Sequence, residues 1–384
     1  MNQLITNALA LAIIFLSTDA CSQETMKLDA YGGNKKIKGK ETGFFHLEEK
    51  DERQYLITPE GNAYRALGIN HFHMMTSTDY DQAVQNIKEW GFNAGCYQGP
   101  RWMWERYPYT QGINLVPVCS WMPDNQFGFR DVFDPLYLAE MEAHIKKIVQ
   151  PQKENRLLIG YFWTDIPVWE RQRDEQGWIS FYKGLPKDSP GGQFWTRWKA
   201  SHPEKAEEAF IALIARQLYA RGYEYLRKYD SNHLVFGDRY FEEDIPDIVV
   251  REALLYIDAI AIQPTSREFN HEFFDRLYSA YKKPIYIADH VSSWATEEHP
   301  VTMGQAAKDP ESYMDYYERY VTTAFSQAYL IGFNKCQYQD QIVRGGMLKQ
   351  GLLKLDGTPY LETIPGITRA NQKALSKAYG DTKR

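Results

Sequence analysis

Eight short apolar runs, most of them separated by segments with helical spacing, constrain the fold of this 384-residue chain more than any other feature. The predicted strands cover residues 64–72, 92–97, 113–121, 156–163, 233–238, 257–263, 284–289 and 329–338. The runs are continuously apolar rather than alternating, which indicates a parallel sheet buried on both faces. Helices are predicted at 80–90, 135–149, 205–228, from 239 to about 256, 270–281 and 309–327. Eight such units predict an α/β chain that forms a closed (β/α)8 barrel.

Composition and motifs narrow the classes of function. No glycine-rich dinucleotide fingerprint or P-loop follows any of the runs, which argues against a nucleotide-binding fold. The formal net charge of −6 lacks the basic footprint of a nucleic-acid binder. The 27 Tyr, 19 Phe and 10 Trp residues favour a carbohydrate as partner, because sugar rings stack on aromatic faces. Core packing would account for the same surplus.

The N-terminus predicts export. The apolar run from Ala8 to Leu16 suits a signal peptide and is too short to span a membrane. Cys21, after Ser-Thr-Asp-Ala, resembles the cleavage site of a bacterial lipoprotein; the alternative is an ordinary secretory signal cut nearby. We therefore expect a periplasmic, outer-membrane or cell-surface protein whose one membrane attachment is a lipid on Cys21. The predicted organisation is a signal peptide at 1–21, a tether at 22–40, and a single barrel at 41–384 that begins with a β-hairpin and has an insertion after strand four.

The remaining cysteines are Cys96, Cys119 and Cys336, an odd number that leaves no complete disulfide framework. Each lies in a strand-like run, where it is expected to behave as a small buried hydrophobe. No zinc-binding spacing is present, and neither a metal nor a cofactor is expected.

Polar residues end the runs, at the edge where a (β/α)8 barrel holds its active site. In strand order they are Asn70, His71 and His73; Tyr97 and Gln98; Trp121; Trp163 and Asp165; Asp238 and Arg239; Gln263; Asp289 and His290; and Gln337, Gln339, Asp340 and Gln341. Trp294, just beyond the seventh run, is added as a substrate contact. Amides and carboxylates hydrogen-bond hydroxyl pairs and indole faces cover pyranoses, so a sugar fits this ring better than a phosphate.

Two aspartates are the candidate catalytic residues. Cleavage of a glycosidic bond needs one protonated and one ionised carboxyl group. Asp165, in the segment "LLIGYFWTDIPVW", is interpreted as the general acid/base, with Trp163 and Trp169 raising its pKa by desolvation. Asp289 is interpreted as the nucleophile or base. Alternatively, Asp165 caps the segment that follows its strand, and Asp289 pairs structurally with His290 or Arg239.

Other candidates also have a structural interpretation. Asp238 and Arg239 either contact substrate or form a salt bridge at the barrel mouth. His71 and His73 lie on one face of a strand, as two metal ligands would; because no third ligand is evident, hydrogen-bonding histidines are favoured over metal-assisted chemistry. The insertion at 170–200 offers sugar platforms or packs against the barrel rim; its candidate platforms are Trp178, Phe194 and Trp195. The tyrosines of the helix near Tyr313, Tyr316, Tyr317 and Tyr320 are expected to pack against the barrel.

Six segments in order resemble the barrel of family 50 β-agarases and related retaining glycoside hydrolases, over roughly residues 54 to 372. They are "YLITPEGNAYRALGINHF", "GYFWTD", "YDSNHLVFGDRY", "KKPIYIADH", "LIGFNKCQYQDQ" and "GLLKLDGTPY". The resemblance implies a (β/α)8 barrel that hydrolyses galactose-rich algal polysaccharide without a cofactor. Such enzymes carry Asn-Glu after strand four and Glu after strand seven. Here the matching segments read Thr-Asp-Ile-Pro around Asp165 and Ala-Asp-His around Asp289, so both catalytic glutamates are replaced.

Two accounts of this replacement remain open. In the first, the aspartates carry out catalysis, and their shorter side chains widen the gap between carboxyls by roughly 1 to 3 Å. A retaining spacing of about 5 Å would then approach the inverting range of about 6.5 to 9.5 Å. In the second, the barrel is catalytically inactive and binds glycans as a surface lipoprotein.

Overall fold

The computed structural model describes residues 26–116, 128–169, 177–204, 206–242, 245–296, 300, 302, 305–343 and 346–379. The N-terminal strands are β1 (Asn34–Lys38), β2 (His46–Lys50), β3 (Arg53–Ile57) and β4 (Asn62–Tyr64). The barrel strands are β5 (Ala66–Asn70), β6 (Ala94–Cys96), β7 (Tyr109–Gly112), β8 (Leu158–Asp165), β9 (Leu234–Phe241), β10 (Ile260–Gln263), β11 (Ile285–Val291) and β12 (Leu330–Cys336). A short antiparallel pair follows, β13 (Gln341–Val343) and β14 (Gly346–Leu348).

The eight parallel strands β5 to β12 close into one barrel, as the apolar runs predicted. Seven of the predicted runs overlap their strands, but the third was misplaced: β7 covers Tyr109–Gly112, not 113–121. Ile113 and Leu115 are buried without being part of the strand, and Leu115 packs against Gly222 of a surrounding helix. The described part of this apolar run, up to Val116, is therefore buried beyond the end of the strand, and Ile113 N adds one backbone hydrogen bond to Phe162 O of β8 at 2.7 Å. Trp121 and Cys119 lie outside the described residues.

The N-terminal sheet closes the end of the barrel opposite the predicted site. Its strand order is β1-β4-β3-β2, and it contains the predicted hairpin as β2 and β3. Phe45, Leu56 and Tyr64 share one buried cluster with barrel-interior residues such as Phe236. Because β4 runs almost directly into β5, this sheet covers the amino ends of the barrel strands. The prediction that residues 22–40 form a tether is wrong in part, because β1 belongs to this sheet and pairs with β4.

Helices surround the barrel where the spacing predicted them. They are α1 (Tyr80–Glu89), α2 (Pro135–Val149), α3 (Trp178–Gly184), α4 (Pro190–Ser201), α5 (Ala206–Tyr229), α6 (Asp247–Ala253), α7 (His271–Tyr281), α8 (Pro310–Ser326) and α9 (Ile364–Ala378). The four tyrosines of α8 are buried against the barrel, as expected. The insertion after β8 contributes α3 and α4. In the described part of the chain no helix has the length and apolarity needed to cross a membrane.

Irregular register between β8 and β9 decides which side chains face the interior. Tyr161 pairs with Val235, Phe162 with Gly237, and the pairing then shifts again before Asp165 meets Arg239. Phe236 lies in the barrel interior, so strict alternation would turn residue 238 inward as well. The bulge at Gly237, whose φ is +73°, instead turns Asp238 toward the helices and Arg239 toward the barrel mouth.

Replacing Gly237 by alanine tests this account. A Cβ at Gly237 would lie 2.9 Å from Ile257 Cγ2 and would meet a positive φ, so we expect Gly237→Ala to lower the free energy of unfolding by about 1 to 3 kcal/mol. Gly184→Ala is the matched control, because nothing lies within 4 Å of its added Cβ; a change within about 0.5 kcal/mol is expected. Denaturant unfolding measures both, and equal losses would contradict the account.

Candidate active site at the carboxyl ends of the barrel strands

The two predicted carboxylates meet at one buried guanidinium. Asp165 Oδ1, at the end of β8, lies 2.6 Å from Arg239 Nη2, and Asp289 Oδ2, near the end of β11, lies 3.5 Å from Arg239 Nη1. These contacts and the width of one guanidinium limit the separation of the two carboxylate oxygens to less than about 9 Å. Arg239 is fully buried, and its guanidinium stacks 3.4 Å from the centre of the Tyr97 ring. The structure thus brings together the pair that the sequence proposed.

The guanidinium remains a cation in this setting. Burial lowers the pKa of Arg239, but Asp165, Tyr97 and Asp289 more than offset that effect and raise it above its ordinary value. Gln263, predicted as a substrate contact, donates from Nε2 to Asp165 Oδ1 at 2.7 Å and so holds this carboxylate in place. Asp165 retains 14% exposure of its side chain, against 7% for Asp289. Asp165 is therefore the carboxylate more open to the mouth.

Asp289 is held as an anion by its neighbours. Burial would raise its pKa, but the contact with His71 and the charges of His71 and Arg239 together bring the pKa below its ordinary value. His71 Nε2 lies 3.5 Å from Asp289 Oδ2. The ring of His73 is 5.6 Å from that of His71, and the His73 side chain is exposed to solvent. Asn70 is buried and donates to Ala288 O, so it braces β11 from the neighbouring side of the barrel.

Cys336 also belongs to this site, although sequence reasoning treated it as a small buried hydrophobe. One donor atom each from Cys336, His71 and Asp289 lie within 4.8 Å of one another. The signal available in the sequence was position alone: Cys336 ends the eighth run, at the same edge of the barrel as the polar residues.

Left-handed backbone occurs repeatedly at this edge. Positive φ values are found at His71 (67°), Tyr97 (42°), Gln98 (56°) and Ile166 (46°), directly after β5, β6 and β8. Such conformations are uncommon for residues other than glycine, and those that persist concentrate at functional sites. At this edge the left-handed residues turn the chain sharply, just where the polar side chains lie at the end of each strand.

The indoles predicted to desolvate Asp165 cover a different carboxylate. Trp163 is fully buried on the outer face of β8, where it stacks on Tyr219 of α5 with ring centres 5.0 Å apart. Trp169 stacks on Trp178 and places its Nε1 3.5 Å from Asp238 Oδ2. Strict alternation would place Trp163 on the same face as Asp165, but the register of β8 shifts between Phe162 and Asp165 and leaves Trp163 in the helix layer. The predicted contacts of Trp163 with Asp165 and with a substrate are therefore not seen in this arrangement.

Asp238 has a structural role within the protein. Its carboxylate accepts hydrogen bonds from Tyr219 Oη at 2.6 Å and from Thr164 N at 2.9 Å. Burial raises its pKa to about 6, although these donors act in the opposite direction. Through Thr164, Asp238 fixes the end of β8 immediately before Asp165.

The predicted contacts after β11 and β12 instead build the loops of the rim. Gln339 accepts from Thr76 N at 2.9 Å and donates to loop carbonyls, and Asp340 accepts from two loop N–H groups. Gln337 is buried and donates to Gln339 O. Trp294 is buried beneath Lys349, whose Nζ lies 3.3 Å from the ring centre. These four residues are buried and have partners within the protein, and their contact with a substrate stays a prediction.

The insertion supplies one exposed aromatic ring among its three candidates. Trp178 and Trp195 are buried, which agrees with their packing interpretation. Phe194 is 40% exposed and stacks on Phe133, with ring centres 4.4 Å apart. Phe194 therefore remains the candidate platform of this set.

Comparison with known proteins identifies the fold. No protein-family model and no curated protein matches the sequence. The crystal structure of an agarase, AgWH50C, is similar over 92% of this chain and 67% of that chain, with a TM-score of 0.78 and 17% identity. An exo-β-agarase is similar over 92% and 68%, with a TM-score of 0.80 and 15% identity. A GH2 β-galacturonidase from Eisenbergiella tayi is similar over 86% of this chain and 54% of its own, with a TM-score of 0.55 and 12% identity. This chain therefore has a (β/α)8 barrel fold like that of these glycoside hydrolases.

The raised pKa of Asp238 predicts a pH-dependent stability. Its pKa is about 6 in the folded chain and 3.8 ordinarily, so the folded state binds the extra proton between these values. Stability is therefore lost as pH rises from about 4 to about 6, by about 2 to 3 kcal/mol. Asp238→Asn has no carboxyl group at this position and so lacks this loss of stability. We therefore expect the difference in unfolding free energy, wild type minus Asp238→Asn, to decrease by about 2 to 3 kcal/mol between pH 4 and pH 6. Denaturant unfolding at several pH values measures it. The exposed Asp315→Asn on α8 is the control, and a parallel fall there would contradict the assignment.

Proposed function

We propose that this chain is a glycoside hydrolase that cleaves galactose-containing algal poly- or oligosaccharides with Asp165 and Asp289. The observation that carries the proposal is the meeting of these carboxylates, from β8 and β11, at Arg239 in the barrel mouth. A pair of carboxyls flanking one linkage is what glycoside hydrolysis requires.

The surroundings of each carboxylate suggest its role. Asp289 is the more buried and is kept ionised by Arg239 and His71, which suits a base or nucleophile. Asp165 is the more exposed, so a bound sugar reaches it directly, and it takes the role of proton donor to the leaving oxygen. The upper limit of about 9 Å on the carboxylate separation admits both the retaining and the inverting spacing. Aspartate is one methylene shorter than glutamate and widens the gap between the carboxyls, and on this ground inversion of the anomeric centre is part of the proposal.

Two lines support a galactan as the substrate class. The solved structures with high structural similarity include agarases, and the polar edge of the barrel presents amide, imidazole and carboxylate groups to a polyhydroxylated ligand. The proposal includes export with a lipid on Cys21, which would place the barrel where polysaccharide is encountered; Cys21 lies outside the described residues.

The contacts of Arg239 also support a second candidate function, glycan binding without cleavage. Arg239 contacts both carboxylates, and a general acid must carry a proton at working pH. While Arg239 holds both carboxylates in ion pairs, neither is free to act on a glycosidic bond, and the barrel binds a glycan without cleaving it. This is the catalytically inactive glycan-binding protein of the same fold.

Turnover separates the two candidates. Wild type is incubated with agarose-, porphyran- and carrageenan-derived oligosaccharides, and products are followed by chromatography. We expect Asp289→Asn and Asp165→Asn each to lower turnover by at least about 100-fold while binding, measured by calorimetry, persists. Asp315→Asn, on the exposed face of α8, should retain wild-type turnover.

The alternative outcomes are distinct. Binding by wild type without any product supports the second candidate. Turnover that survives Asp289→Asn rules out Asp289 as a catalytic residue. An NMR time course of the first-formed anomer tests inversion, which initial release of the retained anomer would refute.

A further inference from the structure

Three donor atoms of different elements converge on one side of the barrel mouth. A ring nitrogen of His71, a carboxylate oxygen of Asp289 and the sulfur of Cys336 all lie within 4.8 Å of one another. Nitrogen, oxygen and thiolate sulfur are the ligand types of zinc sites, whereas Mg²⁺ and Ca²⁺ prefer oxygen alone.

The barrel holds these three residues on adjacent strands. In the closed sheet, β11, β12 and β5 are neighbours, and each contributes one donor at or just beyond its carboxyl end. Asp289 and Cys336 lie within β11 and β12, and His71 follows β5 in a left-handed conformation that fixes the direction of its side chain. Donors on rigid elements keep their positions better than donors on loops.

Two buried polar atoms of this set have no hydrogen-bond partner among the described residues. They are Asp289 Oδ1 and His71 Nδ1. Asp289 as a whole is 5% exposed. Leaving such an atom unpaired costs about 1 to 3 kcal/mol, so a bound ligand or ion is one of the few explanations that native structures offer.

The neighbouring cation contacts only one of the two carboxylate oxygens. Arg239 Nη1 and His71 Nε2 both approach Asp289 Oδ2, each at 3.5 Å. Among the described residues Oδ1 has no nitrogen or hydroxyl donor, and a hydrogen bond from the thiol of Cys336, a member of the same set, helps to lower the pKa of Asp289. A metal on Oδ1 therefore need not displace the guanidinium. A carboxylate and a thiolate together would supply two negative charges, which offset the charge of a divalent ion beside Arg239.

We propose that His71, Asp289 and Cys336 form a binding site for a divalent transition metal such as Zn²⁺ or Co²⁺. Three protein ligands leave a fourth tetrahedral position for water or another ligand. Binding requires that the thiol release its proton as the metal–sulfur bond forms. One consequence rests on the proposed hydrolase: a metal that takes Asp289 removes the ionised carboxylate from the reaction, so Zn²⁺ would inhibit hydrolysis rather than support it.

Co²⁺ is the direct probe, because a cobalt–thiolate bond absorbs in the near ultraviolet. The full chain, reduced with a non-thiol reagent and freed of metal by chelation, is titrated with Co²⁺ and then with Zn²⁺ in competition. We expect one equivalent to bind with a charge-transfer band that Zn²⁺ abolishes. Cys336→Ser should lose the band, and His71→Gln should weaken binding by at least about 10-fold.

Cys96→Ser is the matched control, since Cys96 is the other buried free cysteine of the described chain and lies outside the donor set. It should keep both the band and the affinity. Circular dichroism of each variant establishes that it is folded, and His71→Gln gives a second test if Cys336→Ser is not. Absence of stoichiometric binding in wild type, or an unchanged band in folded Cys336→Ser, overturns the proposal. Because the readout is spectroscopic, it stands or falls separately from hydrolysis.

Discussion

The need to pair one buried cation, Arg239, determines how the side chains at the mouth of this barrel are arranged. Arg239 has no exposed surface, and a charge in that position must be paired or the fold loses several kcal/mol. Asp165, Asp289 and the face of Tyr97 provide the compensation. The two carboxylates are thus fixed by the same requirement that holds the arginine, and replacement of Arg239 by a neutral residue would leave both without their shared counter-charge, at a cost of about 3 to 5 kcal/mol. Structure and proposed chemistry share one set of residues here.

The barrel achieves this arrangement by departing from regular pairing. Register shifts occur between β8 and β9 and again between β11 and β12. Each shift changes which side chains face inward, and the left-handed residues beyond the strand ends redirect the chain at the same level. Bulges beside active sites commonly re-aim a side chain in this way. The scaffold below the mouth, closed by the N-terminal sheet, supplies the rigidity that these irregularities need.

Asp289 has a role both in the proposed hydrolase and in the proposed metal site. As the ionised member of a carboxylate pair it suits glycoside hydrolysis, and with His71 and Cys336 it offers a transition metal three ligands. The fold is shared with agarases at low identity, so the comparison establishes the scaffold, and the side chains of the mouth decide what the chain does.

The sequence by itself determined the barrel, the helices around it and the convergence of Asp165 with Asp289, because continuous apolar runs report burial and parallel strands must end at a common edge. Only the tertiary structure decided that Arg239 rather than Asp238 faces the mouth, that Trp163 belongs to the helix layer, and that Cys336 joins His71 and Asp289. The structure also shows that β7 ends before the apolar run at 113–121, from which the third strand was predicted. The physical reason is the same in each case: hydrophobic pattern measures how far a residue is removed from water, whereas direction depends on bulges and on pairing with strands distant in sequence.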